Sequence, residues 1–257
     1  MSTPLKAGNA RLKELRRLSR RSVRTERRLF LADGPKAVEG ALAAGCVEEL
    51  FLRPGAELPP GLDGSRPQAP VTLVEDRALD LLSDSVTPAG VVALCRAIDV
   101  PLTQALEGAS LVAVCADVRD PGNAGTVIRC ADAAGADAVV LAGDSVDLYN
   151  PKTLRASVGS AFHLPVAVER SAGAAVRAVQ EAGLTVLATD GAGEVSLYDA
   201  PVAGRVAWLF GNEAWGLPAE LAELAEHRVA IPIHGRAESL NLSTAAALCL
   251  YESARRR

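Results

Sequence analysis

Several common chemistries are short of residues in this chain. The three histidines (His163, His227, His234) and five cysteines (Cys46, Cys95, Cys115, Cys130, Cys249) are scattered, with no Cys-x-x-Cys pair. That spacing argues against a zinc site, and an odd set of cysteines lying mostly in apolar segments reads as reduced core thiols. Aromatic residues amount to 4%, so a platform of stacked rings is not expected to dominate nucleic-acid binding. No apolar run approaches bilayer length, and the N-terminus is basic throughout rather than basic and then apolar. A cytoplasmic protein without a membrane span or signal peptide is therefore expected.

What the chain does have is a strong charge asymmetry. The formal net charge is −4, yet residues 1–30 hold ten Lys/Arg against Glu14 and Glu26, which leaves an arm of +8 ahead of a remainder of −12. Within the arm, Leu12, Leu15 and Leu18 recur at spacing three among arginines, the pattern of a helix from Asn9 to about Arg20 with one buried stripe. So many like charges repel unless phosphates or acidic groups neutralise them. Arg16, Arg17, Arg20, Arg21 and Arg24 are accordingly read as contacts to a polyanion.

At 257 residues with 49% hydrophobic side chains, the chain can build one large or two ordinary domains. Residues 1–97 read as the arm plus a small α/β unit, interrupted by a Pro- and Gly-rich stretch from Pro54 to Pro70 that suits an exposed loop. Ile98 to Gly108 reads as a linker. Over 109–257, short apolar β-rich runs alternate with amphipathic helices, which calls for a mostly parallel sheet with helices on both faces. Several strands end in polar or glycine residues, among them Thr189-Asp190-Gly191 and Gly211-Asn212-Glu213. Ligands in open α/β sheets bind at such carboxyl ends, so one site assembled from several loops follows, and Thr189 is assigned to it.

The densest polar cluster is Asp120-Pro121-Gly122-Asn123-x-Gly125-x-x-x-Arg129, which joins the apolar run Leu111–Cys115 to a helix. Asn123 is the expected N-cap, and Gly125 and Arg129 share a helix face at i,i+4, letting Arg129 lean back toward the turn. A dinucleotide fingerprint is absent here, because G-x-G-x-x-G does not occur.

Two further segments complete a set: Leu209-Phe210-Gly211-Asn212-Glu213-Ala214-Trp215-Gly216-Leu217, and Ile231-Pro232-Ile233 followed by Glu238-Ser239-Leu240-Asn241-Leu242-Ser243. In order and spacing the three resemble the motifs of the SpoU/TrmH family of RNA ribose 2′-O-methyltransferases, over roughly residues 109–254. The first hundred residues resemble the smaller α/β substrate-binding domain, related to a ribosomal-protein fold, that often precedes this domain.

The resemblance implies a SPOUT-type trefoil knot, S-adenosylmethionine as cofactor, no metal, and a homodimer with Arg129 facing the partner's cofactor. It implies catalytic roles for Asn123 and Arg129. It assigns Gly211, Ile231 and Leu240 to the cofactor pocket, joined by Glu213, Ser239 and Asn241, and it sets Lys152 and Arg155 near the RNA entrance. A guanidinium stays charged in proteins, so Arg129 is read as orienting the hydroxyl or a phosphate and stabilising developing negative charge. The substrate implied is structured RNA, 23S rRNA first and tRNA second. A non-catalytic RNA-binding or ribosome-assembly protein is the competing class.

Overall fold

The computed structural model describes residues 3–56 and 69–256, so most of the Pro- and Gly-rich stretch lies outside the described residues. The chain forms two units, Met1–Ile98 with Asp147–His163, and Asp99–Val146 with Leu164–Arg257.

In the first unit the arm is folded. Helix α1 (Ala10–Arg16), a 3-10 turn (Arg17–Ser19) and α2 (Arg21–Arg27) replace the single expected helix. The leucine stripe is buried as its spacing requires: Leu12, Leu15 and Leu18 join Val23, Phe51, Leu79, Val92 and Leu94 in one core. Strands β1 (Leu29–Asp33), β2 (Val47–Leu52), β3 (Val71–Leu73) and β4 (Val91–Arg96) order as β1-β4-β2-β3, with β4 antiparallel to both neighbours and β3 parallel to β2. Helices α3 (Pro35–Ala43) and α4 (Asp76–Asp80) complete the local chain.

Arg24 corrects the reading of the arm. It is 5% exposed; its guanidinium donates to the Leu18 and Ser19 carbonyls at 2.7 and 2.8 Å, and its Nε donates to Asp147 Oδ2 at 2.7 Å. A buried arginine with its donors committed to the protein is a structural tie, not a phosphate contact. Other arm cations are neutralised by acids: Arg11 pairs with the buried Glu49, and Arg17 and Arg27 both reach Glu14 at 3.0 Å. Arg16, Arg20 and Arg21 are exposed.

The second unit begins with α5 (Leu102–Leu106), inside the segment read as a linker; its Ala105 and Leu106 are buried in this unit's core. Strands β5 (Leu111–Ala116), β6 (Ala138–Ala142), β7 (Val166–Glu169), β8 (Thr185–Thr189), β9 (Val195–Ser196), β10 (Val206–Phe210) and β11 (His227–Ala230) form one sheet ordered β7-β6-β5-β10-β8-β11-β9. Every pairing is parallel, as near-continuous apolar strands buried on both faces demand. Helices α6 (Pro121–Ala133), α8 (Ala172–Glu181), α9 (Ala219–Ala222) and α10 (Leu242–Arg255) belong to this unit, whereas α7 (Pro151–Ser157) packs with the first. One sheet face carries α6 and α10; α5 and α8 pack on the other around Val112, Val114, Val140, Val186 and Leu209.

Strand β11 stops at Ala230, because Pro232 has no N–H for a ladder and restrains the residue before it. The register Phe210↔Cys115, Leu209↔Ala188 and Val229↔Thr189 brings the carboxyl ends of β5, β10, β8 and β11 onto one rim.

Helix α10 is tied to the sheet by Trp208. The ring is fully buried and its Nε1 donates to the equally buried Ser253 Oγ at 2.8 Å. Ser253→Ala leaves a buried donor unsatisfied and is expected to lower stability by about 1–3 kcal/mol in urea unfolding. In Trp208→Phe the same serine change is expected to cost clearly less, since the donor is already gone.

Candidate active site

Three loops meet at the rim of the second unit. After β5, Asp117 adopts a left-handed conformation (φ 55), and its carbonyl accepts Asn212 Nδ2 at 2.7 Å. Such strain in a non-glycine residue is characteristic of sites held by their surroundings. The helix cap differs from expectation. Asp120 is the N-cap of α6, its Oδ1 accepting the Asn123 N–H at 2.8 Å, and Pro121 fills the first helical position. Two cap-competent residues stand three apart, and the proline selects the first of them.

Asn123 is thereby freed for a different task. Its Nδ2 donates to Glu213 Oε1 at 3.2 Å, and its Oδ1 accepts Asn241 Nδ2 at 3.0 Å. One amide therefore bridges all three motifs. Glu213 also accepts the Asp120 N–H at 3.0 Å and the Arg119 N–H at 3.2 Å, placing a carboxylate where the α6 dipole favours it. Asn241 Oδ1 meanwhile caps α10 by accepting the N–H of Ser243 at 2.9 Å. Capping and bridging are done by opposite ends of one side chain.

The loop after β10 is a closed turn, in which Asn212 and Gly216 exchange backbone hydrogen bonds at 2.9 Å in both directions. A Cβ at Gly211 would overlap the Gly216 carbonyl and lie 2.6 Å from the Leu217 nitrogen. Glycine is required there by the loop's own backbone, whatever ligand approaches it.

Beside this network lies a cleft of about 330 Å³, within the ~300–1,000 Å³ range of small-molecule sites. Thr189, Gly211, Glu213, Ile231, Ser239 and Leu240 line it; Asn241, the seventh residue assigned to the pocket, stands outside the lining and reaches it through the bridge. The Thr189 hydroxyl is already used, donating to the Leu209 carbonyl at 3.1 Å. Residues missed from the sequence include Val229 and Ala245, whose apolar types carry no ligand signal outside the fold, while Asp190, Glu238 and Leu242 stand in the segments recognised from the sequence without a role of their own.

The lining contains Asp190, Glu213 and Glu238 and no Lys, Arg or His. Such a cleft disfavours phosphate-bearing nucleotides and suits a ligand with an apolar ring system and net positive charge. Cys115, at the end of β5, is no nucleophile, because burial, aided by the Glu213 charge, pushes its thiol up to about 12. Among the described residues no group of three or more His, Cys, Asp or Glu could hold a metal ion, and no helix is long and apolar enough to cross a membrane.

Arg129 lies on α6 beyond the bridge. It is exposed, and among the described residues its guanidinium has no hydrogen-bond or ion-pair partner. In the first unit, Lys152 is exposed and Arg155 is half-buried, its guanidinium donating to Asp84 Oδ2 at 3.2 Å. Neither belongs to the unit that holds the cleft.

Comparison with known proteins identifies the family. Residues 110–251 match the SpoU rRNA Methylase family and residues 9–93 the MRM3-like substrate binding domain. The chain is 34% identical over 246 residues to 23S rRNA (guanosine(2553)-2'-O)-methyltransferase RlmP of Bacillus subtilis (strain 168), covering 95% of this chain and 96% of that one. An AdoMet-bound rRNA methyltransferase from Sinorhizobium meliloti superposes with a TM-score of 0.83 at 36% identity, covering 96% and 95% of the two chains. The SpoU methyltransferase AviRb from Streptomyces viridochromogenes gives 0.85 at 30% identity, covering 97% and 98%. By family match, by full-length similarity and by fold, this chain belongs to the SpoU rRNA methylase family.

Proposed function

We propose that the protein transfers a methyl group from S-adenosylmethionine to a ribose 2′-hydroxyl of 23S rRNA. The observation that carries this reading is the cleft at the strand ends, apolar and carboxylate-lined with no basic side chain, joined by the Asn123 amide to the helix that carries Arg129. The adenosine would lie against Ile231 and Leu240, with backbone groups of the 211–216 and 231–240 loops reading its polar edge; Glu213, Asp190 and Glu238 favour the cofactor's positive charges. S-adenosylmethionine supplies an electrophilic methyl group on its sulfonium.

The chain's own residues do the rest. Asn123, Glu213 and Asn241 hold the walls of the cleft to the start of α6, so that the reacting groups meet in fixed geometry. Arg129, which has no hydrogen-bond or ion-pair partner among the described residues, orients the hydroxyl or an adjacent phosphate and stabilises the incipient alkoxide.

The protein acts as a cytoplasmic homodimer in which α10 passes through a loop as a trefoil knot and Arg129 faces the partner's cofactor. The exposed apolar side chains Leu248 and Tyr251 on α10 support a self-association surface. Residues 1–97 serve as the RNA-binding domain and 109–257 as the methyltransferase domain, with Arg16, Arg17, Arg20 and Arg21 on phosphates and Lys152 and Arg155 beside the RNA path.

The test is incubation with methyl-labelled S-adenosylmethionine and separated rRNA and tRNA from a strain lacking the gene, followed by mapping of the labelled ribose. Label is expected at one 2′-oxygen of 23S rRNA; label in tRNA alone would replace the substrate class, and none in either pool would leave an RNA-binding protein without turnover. Arg129→Ala is expected to lower turnover about 10²–10³-fold with cofactor affinity unchanged. Near-full turnover in Arg129→Ala would remove the arginine from the chemistry.

Because Leu12, Leu15 and Leu18 are core residues, the arm is tested by charge removal rather than deletion. Replacing Arg16, Arg20 and Arg21 together by Gln is expected to reduce the slope of log affinity against log salt for RNA by about 2–3, at roughly 0.7–0.9 per phosphate contact. An unchanged slope would exclude these arginines from the RNA interface.

A further inference from the structure

We infer that Trp215 is a stacking platform for an unpaired nucleobase of the RNA substrate, with Arg119 as its cationic backing. The inference rests on the methyltransferase reading above and adds a substrate contact to it.

The two tryptophans of the chain are in opposite situations. Trp208 is fully buried, with its indole N–H bonded to Ser253, whereas Trp215 is 55% exposed on the loop after β10. The backbone of that loop is fixed. The Asn212–Gly216 backbone exchange closes it, Asn212 Oδ1 accepts the Ala214 N–H at 2.8 Å, and Asn212 Nδ2 anchors it to the Asp117 carbonyl. A large apolar ring left in water on a closed turn forgoes the usual benefit of burial.

The direction of the ring is informative. Gly211, Asn212, Glu213, Ala214 and Gly216 all line the cofactor-sized cleft, and Trp215 alone of residues 211–216 does not. Its ring instead meets the other strand-end loop, where the Arg119 guanidinium carbon lies 5.1 Å from the ring centroid, within cation–π range. Arg119 is itself held on the same rim. Its N–H donates to Glu213 Oε2, and its side chain, 58% exposed, stands 3.7 Å from the Asp144 carboxylate.

This pairing suits RNA. An indole offers a face to any unstacked base, and the guanidinium adds attraction for the phosphate beside that base. In a chain with so few aromatic residues, one exposed ring beside the site contributes where a sheet of rings is missing.

The experiment uses the full-length protein and a 23S rRNA transcript. Trp215→Ala is expected to weaken RNA binding and raise KM for RNA about 5- to 100-fold, with kcat, cofactor affinity and oligomeric mass unchanged; Trp215→Phe recovers most of the loss. Because Trp208 is buried, acrylamide quenching of the native protein reports Trp215, and saturating RNA is expected to shield it. Unchanged RNA affinity and unchanged quenching, in a protein that does methylate rRNA, would overturn the platform alone. A shift in oligomeric mass in Trp215→Ala would assign the ring to a subunit interface instead. Failure of the native protein to bind RNA at all would overturn the platform together with the reading beneath it.

Discussion

The site depends on one side-chain amide. Asn123 gives its N–H to Glu213, 90 residues away, and receives one from Asn241, 118 residues away. Each hydrogen bond contributes only about 0.5–1.5 kcal/mol. Their effect is larger than that figure because of what they join: Glu213 holds the start of α6, Asn241 caps α10, and the intervening loops form the walls of the cleft. The parallel sheet makes the meeting possible by ending β5, β10, β8 and β11 on one rim.

Charge divides the molecule by task. The cleft carries carboxylates and no cations, while the basic arm lies in the other unit, where acids within that unit neutralise part of it. On the proposed reading, the cleft draws the positively charged cofactor and the arm the polyanionic substrate. Trp215 and Arg119 lie on the cleft's unit but outside the cleft, so the proposed base contact does not compete with a ligand of the cleft.

Much of this was legible in the sequence. Apolar runs between polar strand ends and amphipathic helices point to a parallel sheet, and six of the seven residues assigned to the pocket line one cleft. What escaped was decided by contacts distant in sequence. Nothing local separates Arg24 from the arginines around it; its burial follows from Asp147, 123 residues on. The same segment joins the first unit through Tyr149, whose ring stacks on Phe30 at 4.5 Å. Asp120 and Asn123 are both able to cap; Pro121 selects Asp120 for the helix, and the fold shows that Asn123 bridges the loops instead.

Asn123 offers the most direct test, because it lies outside the cleft lining and yet is held to organise it. Isothermal titration of S-adenosylmethionine into Asn123→Ala is predicted to show affinity reduced about 5- to 100-fold, the equivalent of about 1–3 kcal/mol for two lost hydrogen bonds, with the protein still folded. Affinity within twofold of the native protein would contradict the claim that this amide holds the cofactor site together.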